Sequence, residues 1–193
     1  SIDSNGRVLL PKRYMCMAAI TNGNIILENT TPEHIIPVIN KLEECGAKIE
    51  IFKNKILIEN SKRLKAVDIK TMPYPGFPTD MQSVFTSILC VAKGTSVVVE
   101  NIFENRYKYT NELKRMGANI KIEGKVAIVK GTKKLVGANV EATDLRGGAA
   151  LVVAGLVAKG KTTISNIDYI LRGYENIVDK LSSVGADIKL IEE

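Results

Sequence analysis

The stretch LKRMGANIKI, residues 113–122, decides the fold because close copies of it occur twice more in the chain. LEECGAKIEI occupies residues 42–51, and LSSVGADIKL occupies residues 181–190. Each copy is typical of a helix end, a Gly-Ala stop and a half-buried strand with alternating apolar residues. The glycines of the stops are separated by 117 − 46 = 71 and 185 − 117 = 68 residues. One unit of about 70 residues therefore occurs three times.

A second set of copies extends this unit towards its N-terminal side. AAITNGNIILEN (18–29), VAKGTSVVVEN (91–101) and LVAKGKTTISN (156–166) each place a glycine between a helix and a strand. Strands that are joined through helices are expected to pair in parallel with right-handed crossovers, and a terminal hairpin such as KILIEN adds an antiparallel partner. Before Ala18 the first unit has room for only one strand and a shortened helix.

The repeat predicts one α/β domain over residues 1–193, made of three βαβαββ pseudo-repeats at about 1–60, 61–131 and 132–193. Apolar runs such as LVVAGLVA indicate that some helices are buried on all sides. A solenoid is the alternative architecture. Because the three copies span the whole length without distinct caps, closure into a compact body is favoured.

Composition narrows the functional classes. The net charge is 27 − 21 = +6, and the basic residues are scattered without an aromatic–basic stacking pattern. Anionic small substrates are therefore favoured over nucleic acid, although a basic nucleic-acid-binding repeat protein stays an outside alternative. With no apolar run near the roughly 20 residues of a membrane span, we expect no membrane partner and a cytoplasmic location. Three widely spaced cysteines without a CxxC pair predict buried thiols and no structural metal.

The stretch PYPGFPTDMQ, residues 73–82, carries three of the chain's six prolines and runs into an apolar helical pattern. Thr79 and Asp80 stand at the junction, where a side-chain oxygen often accepts a bond from an unpaired helical N–H. Position alone favours this capping role for Asp80. A rigid, proline-rich lead-in is more than a cap requires, so the alternative is a carboxylate held in place for chemistry.

Four segments resemble the signature segments of one family, the UDP-N-acetylglucosamine 1-carboxyvinyltransferases, in that family's order. They are PGFPTDMQ (75–82), ENIFENRYKYTNELKRMGA (100–118), ATDLRGGAALVVAGLVAKG (142–160) and RGYENIVDKLSSVGA (172–186). The resemblance implies the family's fold, an inside-out α/β barrel domain with helices at the centre and sheets outside. It also implies that the chain is the C-terminal of two such domains, with the second catalytic domain absent from it.

The activity implied by the resemblance is transfer of the enolpyruvyl group of phosphoenolpyruvate to the 3-hydroxyl of UDP-N-acetylglucosamine, with release of phosphate, in peptidoglycan biosynthesis. This reaction needs a base near the sugar hydroxyl, a proton donor for the methylene carbon, and cations for the carboxylate and phosphate. No cofactor or metal is implied. The implied partners are the two substrates and the missing N-terminal domain, which carries the family's reactive cysteine. We therefore expect the isolated chain to be inactive.

Four charged residues match functional positions of the family. Asp80 matches the proposed base that contacts the sugar 3-hydroxyl. Arg106 and Arg146 match arginines that face the enolpyruvyl carboxylate, and Arg172 matches one that binds its phosphate. Arginine suits this work because its planar fork stays charged and pairs with oxyanions. Arg146 and Arg172 are each predicted to open a helix, where unpaired N–H groups already attract anions.

Two further positions match substrate-binding positions of the family. Ile102 matches a position whose backbone contacts the nucleotide sugar. Asp144 matches an aspartate near the groups that handle phosphate, and a helix-capping role is an equal alternative for it. Glu104 and Asn105 are predicted to support the loop that presents Arg106.

Two departures from the family pattern favour a non-catalytic paralogue or binding module as an alternative. Lys12 stands where the family usually has aspartate, in a segment that is also shorter, and Leu171 stands where aspartate often precedes Arg172. Among enzymes, the nearest alternative is the shikimate-phosphate enolpyruvyl transferase, which shares the fold. It is disfavoured because FENRYKY (103–109) occupies the place of its Arg-x-Lys-Glu-Ser-Asp-Arg type segment.

Overall fold

The structure, a computed structural model, describes residues 11–192, and its elements follow the repeat. The first unit contains α1 (Pro11–Ile20), β1 (Asn24–Glu28), a 3-10 helix (Pro32–Ile35), α2 (Ile36–Glu44), β2 (Lys48–Ile51) and β3 (Lys55–Glu59). The second contains β4 (Ile69–Lys70), a 3-10 helix (Thr79–Met81), α3 (Gln82–Leu89), β5 (Thr95–Val99), α4 (Tyr109–Arg115), β6 (Asn119–Glu123) and β7 (Val126–Lys130). The third contains β8 (Asn139–Glu141), α5 (Leu145–Val157), β9 (Thr163–Ser165), α6 (Asp168–Gly173) and α7 (Ile177–Ser183).

Helices α1, α3 and α5, the first helix of each unit, pack against one another at the centre. All eight residues of α3 are buried, as are residues 15–20 of α1 and 147–154 of α5. Helices buried in this way must have packing partners on every side. The three units therefore close around one core, and the solenoid is excluded.

The strands lie outside these helices in three sheets, with the orders β1-β3-β2, β4-β5-β7-β6 and β8-β9. β4 pairs in parallel with β5, and β8 with β9, as predicted for strands joined through a helix. The last strand of the first two units, β3 or β7, lies between its two neighbours and pairs antiparallel with both. This combination of buried helices and outer mixed sheets is the predicted inside-out α/β architecture.

The third unit departs from the predicted order. The strand predicted after Gly185 is wrong, because residues 186–192 form no strand. In the first two units the corresponding strand pairs with the one that follows it, and no such strand is found for it among residues 11–192. Two short helices, α6 and α7, also occupy the place where one helix was predicted.

The first unit departs in a different way. Its predicted first strand falls on residues 1–10, which lie outside the described residues. α1 spans ten residues, more than the eight of the equivalent α3 and fewer than the thirteen of α5, so the predicted shortening holds only relative to α5.

The Gly-Ala stops that reveal the repeat end helices as predicted. Gly46, Gly117 and Gly185 have φ values of +105°, +91° and +97°. This left-handed conformation suits glycine because it lacks a Cβ, and it turns the chain out of the helix and towards the next segment.

Close packing of α5 against its neighbours fixes where its N-terminal end lies. Ser83 Oγ and Ser87 Oγ of α3 donate hydrogen bonds to the carbonyl oxygens of Arg146 and Ala150, at 2.9 Å and 2.8 Å. On another side, a Cβ added at Gly148 would lie 2.7 Å from a side-chain carbon of Ile170 in α6. The glycine therefore allows the two helices to approach closely.

Candidate active site

The N-terminal ends of α1, α3 and α5 meet in one region. Lys12, the second residue of α1, places its Nζ 3.4 Å from Oδ2 of Asp80, which lies in the 3-10 helix that leads into α3. Ser83 of α3 holds the carbonyl of Arg146, the second residue of α5. Because each helix start presents unpaired N–H groups and the positive end of a dipole, their convergence favours anions.

Asp80 does not cap a helix. Pro78 is the N-cap of its 3-10 helix and Met81 that of α3, and neither helix start has a side-chain capping bond. The Asp80 side chain is 18% exposed, and its recorded partner is the Lys12 ammonium. The capping role that position alone favours is therefore wrong, and the carboxylate lies partly open to solvent beside a cation.

Arg106 and Arg146 line one small cleft. Its other lining residues come from the 3-10 helix before α3, from α3 and α4, and from the start of α5: Thr79, Gln82, Ser83, Tyr109, Asp144 and Gly147. Burial lowers the pKa of Arg146, repulsion from Arg106 lowers it further, and the carboxylates of Asp80 and Asp144 oppose this. An anion bound between the two arginines would relieve that repulsion.

Two buried donors in this cleft have no acceptor among residues 11–192. Gln82 is 2% exposed, and its Oε1 accepts a hydrogen bond from the Tyr109 hydroxyl, which leaves its Nε2 without a partner. Nε of Arg146 is buried and unpaired as well. Since buried N–H groups in proteins nearly always have an acceptor, these two donors require one, which the oxygen atom of a bound water or ligand can supply.

Arg13 is a further buried cation near the cleft of Arg106 and Arg146. It is 2% exposed, and its guanidinium carbon lies 4.9 Å from the ring centroid of Tyr174. Burial raises the pKa of Tyr174, whereas the charge of Arg13 opposes this, and the same charge contributes to the lowered pKa of Arg146. Arg13 therefore adds to the positive potential of the region.

Asp144 caps α5. Its Oδ1 accepts a hydrogen bond from the backbone N–H of Gly147 at 2.7 Å, in the arrangement expected of an N-cap. This bond orients the first turn of α5, and with it Arg146. The capping alternative for Asp144 is therefore confirmed, and the residue also lines the cleft.

The prediction that Arg172 opens a helix is wrong. Arg172 lies in the last turn of α6, where its Nε is 3.3 Å from the carbonyl oxygen of Asp168. A cation is stabilised at this end of a helix by the dipole, so a structural role explains its position as well as anion binding does. Its side chain is exposed with the guanidinium carbon 6.0 Å from the Tyr169 ring centroid, and it does not line the cleft of Arg106 and Arg146.

The loop that carries Ile102 and Arg106 is held by Glu100. The Glu100 carboxylate is buried at 3% exposure and accepts the backbone N–H groups of Ile102 and Phe103 at 3.0 Å and 3.2 Å. The guanidinium carbon of Arg106 lies 4.2 Å from the Phe103 ring centroid. Glu104 is exposed and makes no hydrogen bond or ion pair within residues 11–192, so the support predicted from it is wrong.

Several residues of this region are not predicted from the sequence. Lys12 is identified only as a departure from the family pattern, and nothing in the sequence indicates a role for Arg13, Gln82 or Glu100. Superimposing the first helix of each repeat would reveal part of the cluster, because Arg13, Gln82 and Arg146 all lie in the first turns of equivalent helices. Glu100 has no such signal.

Within residues 11–192, no group of three or more His, Cys, Asp or Glu side chains is arranged to hold a metal ion. Over the same residues, every helix is too short or too polar to cross a membrane.

Comparison with known protein families defines the class. Residues 12–181 match the family model described as EPSP synthase (3-phosphoshikimate 1-carboxyvinyltransferase). The crystal structure of the enolpyruvyl transferase NikO from Streptomyces tendae is similar in fold, with a TM-score of 0.81 at 23% identity, over 92% of this chain and 43% of that one. EPSP synthase from Acinetobacter baumannii gives 0.74 at 19% identity, over 94% and 46%. At these identities the structural matches establish the fold, which is that of the enolpyruvyl transferases.

Closer relatives share one name, UDP-N-acetylglucosamine 1-carboxyvinyltransferase. The protein from Desulfofundulus thermocisternus is 55% identical over 91% of this chain and 72% of its own length. The first such enzyme of Caldanaerobacter subterraneus subsp. tengcongensis is 54% identical, and that of Thermotoga maritima 49% identical. The chain spans 42% and 43% of the length of these last two proteins. It therefore belongs to the EPSP synthase family, in the branch of the UDP-N-acetylglucosamine 1-carboxyvinyltransferases.

Proposed function

We propose that the chain supplies one wall of the active site of an enzyme that transfers the enolpyruvyl group of phosphoenolpyruvate to the 3-hydroxyl of UDP-N-acetylglucosamine. The observation that carries this proposal is the convergence of Asp80 and Arg146, at helix N-termini, with Arg106 on the neighbouring loop, beside two unpaired buried donors. A carboxylate base next to clustered cations meets the needs of the reaction, which we place in the cytoplasm as a step of peptidoglycan biosynthesis.

Asp80 is the proposed base. Its carboxylate caps no helix and is partly open to solvent, so a sugar hydroxyl can approach it. It takes the proton of the 3-hydroxyl as the sugar oxygen bonds to C2 of phosphoenolpyruvate and the methylene carbon gains a proton. The resulting tetrahedral ketal then loses phosphate and one proton from its new methyl group, which restores the carbon–carbon double bond of the enol ether.

The arginines and the buried donors bind the anionic groups. Arg106 and Arg146 hold the enolpyruvyl carboxylate, because a carboxylate offers acceptors to two guanidinium groups and to Nε2 of Gln82. Arg172 binds the phosphate from the last turn of α6, with its side chain exposed to solvent. Asp144 acts through Arg146, whose helix start it caps.

Ile102 contacts the nucleotide sugar through its carbonyl oxygen. Its N–H already donates to Glu100, so the carbonyl is the backbone group left for a substrate. The contact expected of the Ile102 backbone is therefore made by this oxygen atom.

We assign the acid that protonates the methylene carbon to a group outside this chain, because none of its thiols suits that role. All three cysteines, Cys16, Cys45 and Cys90, are buried free thiols, and burial raises the pKa of each. Buried thiols with a raised pKa are inert, so none of them supplies a reactive group. We therefore propose that the isolated chain is inactive and binds UDP-N-acetylglucosamine weakly, and that a second domain completes the site.

The test is a chimera. This chain replaces the aligned part of the Caldanaerobacter relative, to which it is 54% identical over 175 residues. We expect the chimera to release phosphate from phosphoenolpyruvate only when UDP-N-acetylglucosamine is present. Asp80→Asn should lower kcat by about a hundredfold because the base is lost. The matched control is Asp179→Asn, at an exposed position of α7, which should leave kcat unchanged. A chimera that folds and is inactive, or full activity of Asp80→Asn, would overturn the proposal.

A second candidate function, a binding module without catalysis, is favoured by the ion pair of Lys12 with Asp80. An ammonium group 3.4 Å from the carboxylate competes with a sugar hydroxyl for the same oxygen. This candidate predicts that the chimera binds UDP-N-acetylglucosamine in calorimetry but releases no phosphate, and that Lys12→Met restores turnover because it frees the Asp80 carboxylate. Phosphate release by the unmodified chimera excludes it.

A further inference from the structure

We propose that Glu100 is a positioning residue, whose buried carboxylate sets the distance between the segment that carries Asp80 and the loop that carries Ile102 and Arg106. The expected effects on turnover rest on the function proposed above. The role of Glu100 in holding the two segments is argued only from hydrogen bonds within this chain.

Glu100 uses its two carboxylate oxygens on different segments. Oε2 accepts a hydrogen bond from the hydroxyl of Thr79, the residue directly before Asp80, at 3.0 Å. Oε1 accepts from the Thr71 hydroxyl at 2.9 Å and from the N–H groups of Ile102 and Phe103. One side chain therefore joins the end of β4, the start of the helix with Asp80 and the loop with Arg106.

Hydrogen bonds from neighbouring residues of this chain satisfy the carboxylate oxygens of Glu100. Within residues 11–192 it forms no ion pair, and four hydrogen bonds from hydroxyl and N–H groups satisfy its oxygens. Thr71 extends the network, because its Oγ1 accepts the N–H of Asn101 at 2.9 Å. Burying a carboxylate is costly unless such bonds compensate it, so a residue that served only as core packing would be apolar.

The equivalent residue of the first repeat has no such role. Glu28, at the end of β1, is exposed and pairs with Lys55 on the neighbouring strand at 2.8 Å. The buried glutamate is thus a feature of the middle unit, which is also the unit that carries Asp80 and Arg106. We therefore attribute the burial of Glu100 to a role in the site, and not to a structural requirement that all repeats share.

The two oxygens predict separate effects on catalysis. Loss of the Thr79 bond frees the Asp80 segment, which places the base less well and lowers kcat. Loss of the bonds to Ile102 and Phe103 frees the loop, which weakens the sugar contact and raises KM for UDP-N-acetylglucosamine. Misplacement of about 1 Å is enough for a large loss of rate.

The geometric part is tested by amide hydrogen exchange on the 193-residue chain. In Glu100→Gln, one amide oxygen has to serve donors that two carboxylate oxygens serve now, so the N–H groups of Ile102 and Phe103 should exchange at least about tenfold faster. Glu112→Gln is the matched control, because Glu112 also accepts a backbone N–H, that of Glu141, at 3.0 Å, away from the cleft. Unchanged exchange at Ile102 and Phe103 in Glu100→Gln overturns the proposal.

The catalytic part is tested in the chimera with the conservative pair Thr79→Val and Thr79→Ser. Valine removes the bond to Oε2 alone, so kcat should fall about tenfold with KM and loop exchange nearly unchanged, and serine should restore kcat. Glu100→Gln should lower kcat and raise KM together. If Thr79→Val and Thr79→Ser have the same kcat as the unmodified chimera, the proposal is overturned. If the unmodified chimera is inactive, the proposed function fails, and exchange alone then decides whether Glu100 holds the loop.

Discussion

Cys90 lies at the end of α3 in the centre of the molecule and is 0% exposed. Burial raises the pKa of its thiol to about 12, from an ordinary value near 9. The folded chain therefore keeps the proton above about pH 9, where the unfolded chain releases it. The stability that results is fully present below about pH 9 and is lost as the pH rises towards 12. Cys45 has the same raised value for the same first cause, its burial.

We predict that Cys90→Ala makes the alkaline loss of stability shallower. Each buried thiol contributes up to about 1.4 kcal/mol per pH unit to the decline of the free energy of unfolding, so removing one should reduce the slope by an amount of this order. Urea unfolding at several pH values between 9 and 11 measures it. Ser96→Ala is the control, because Ser96 is equally buried, lacks a hydrogen-bond partner in the described part of the chain and does not titrate there. Equal slopes for Cys90→Ala and the unmodified chain would contradict the prediction.

At the same scale, sequence reasoning recovers the residues whose chemistry and position in a motif coincide. Arg146 is found because it lies just inside a helix start that the DLRGG segment marks. The ion pair of Lys12 with Asp80 is not found, since the two residues are 68 positions apart and only the packing of α1 beside α3 brings them together. Glu100 is missed for a similar reason, because its burial depends on what covers the end of β5.

The interface of α5 with its neighbours gives a prediction at the scale of the element. Gly148 and Gly155 lie on the same helix, but a Cβ at Gly148 would be 2.7 Å from a side-chain atom of Ile170, and one at Gly155 would be 3.6 Å from Thr162. We expect Gly148→Ala to destabilise the chain by about 1–3 kcal/mol through overpacking. Gly155→Ala should be neutral or stabilising by up to about 1 kcal/mol, because alanine is the better helix former.

Chemical denaturation of the two alanine variants decides this. A shift of α6 that accommodates the new methyl group would instead leave Gly148→Ala as stable as Gly155→Ala. In that case Tyr174, which follows α6 and contacts Arg13, should change its near-ultraviolet absorbance relative to the unmodified chain. Equal stability without any such change would contradict the prediction, because the added methyl group would then fit with neither overpacking nor a shift of α6.

The sequence predicts a helix or strand correctly where the segments before and after it also belong to the repeat. The helix stops at Gly46, Gly117 and Gly185 depend on local conformation, so the sequence shows them directly. The strand predicted after Gly185 failed because a strand needs a partner, and the pattern of one segment cannot show whether its partner is present. The sequence predicts the wrong end of a helix for Arg172, because two short helices, α6 and α7, stand where the pattern indicates one.

At the scale of the whole molecule, the three sheets are unequal although the helices they cover are equivalent. The middle sheet has four strands, and the sheet of the third unit has two within residues 11–192. β7 pairs on both sides, whereas the partner found for β9 among the described residues is β8 alone. The resistance of each region to opening should follow the number of its strand partners.

We therefore predict that native-state hydrogen exchange is slowest in β7 and at least roughly a hundredfold faster in β9. Glu112→Gln should widen this difference, because Glu112 of α4 anchors β8 through the N–H of Glu141 and so stabilises the partner of β9. Exchange in β7 should stay unchanged in this variant, since its hydrogen bonds run to β5 and β6. If β7 and β9 exchanged at one rate, and Glu112→Gln accelerated both equally, the three units would open only as a single body. The small third sheet would then be held by the central helices, and its own pairing would contribute nothing measurable to local stability.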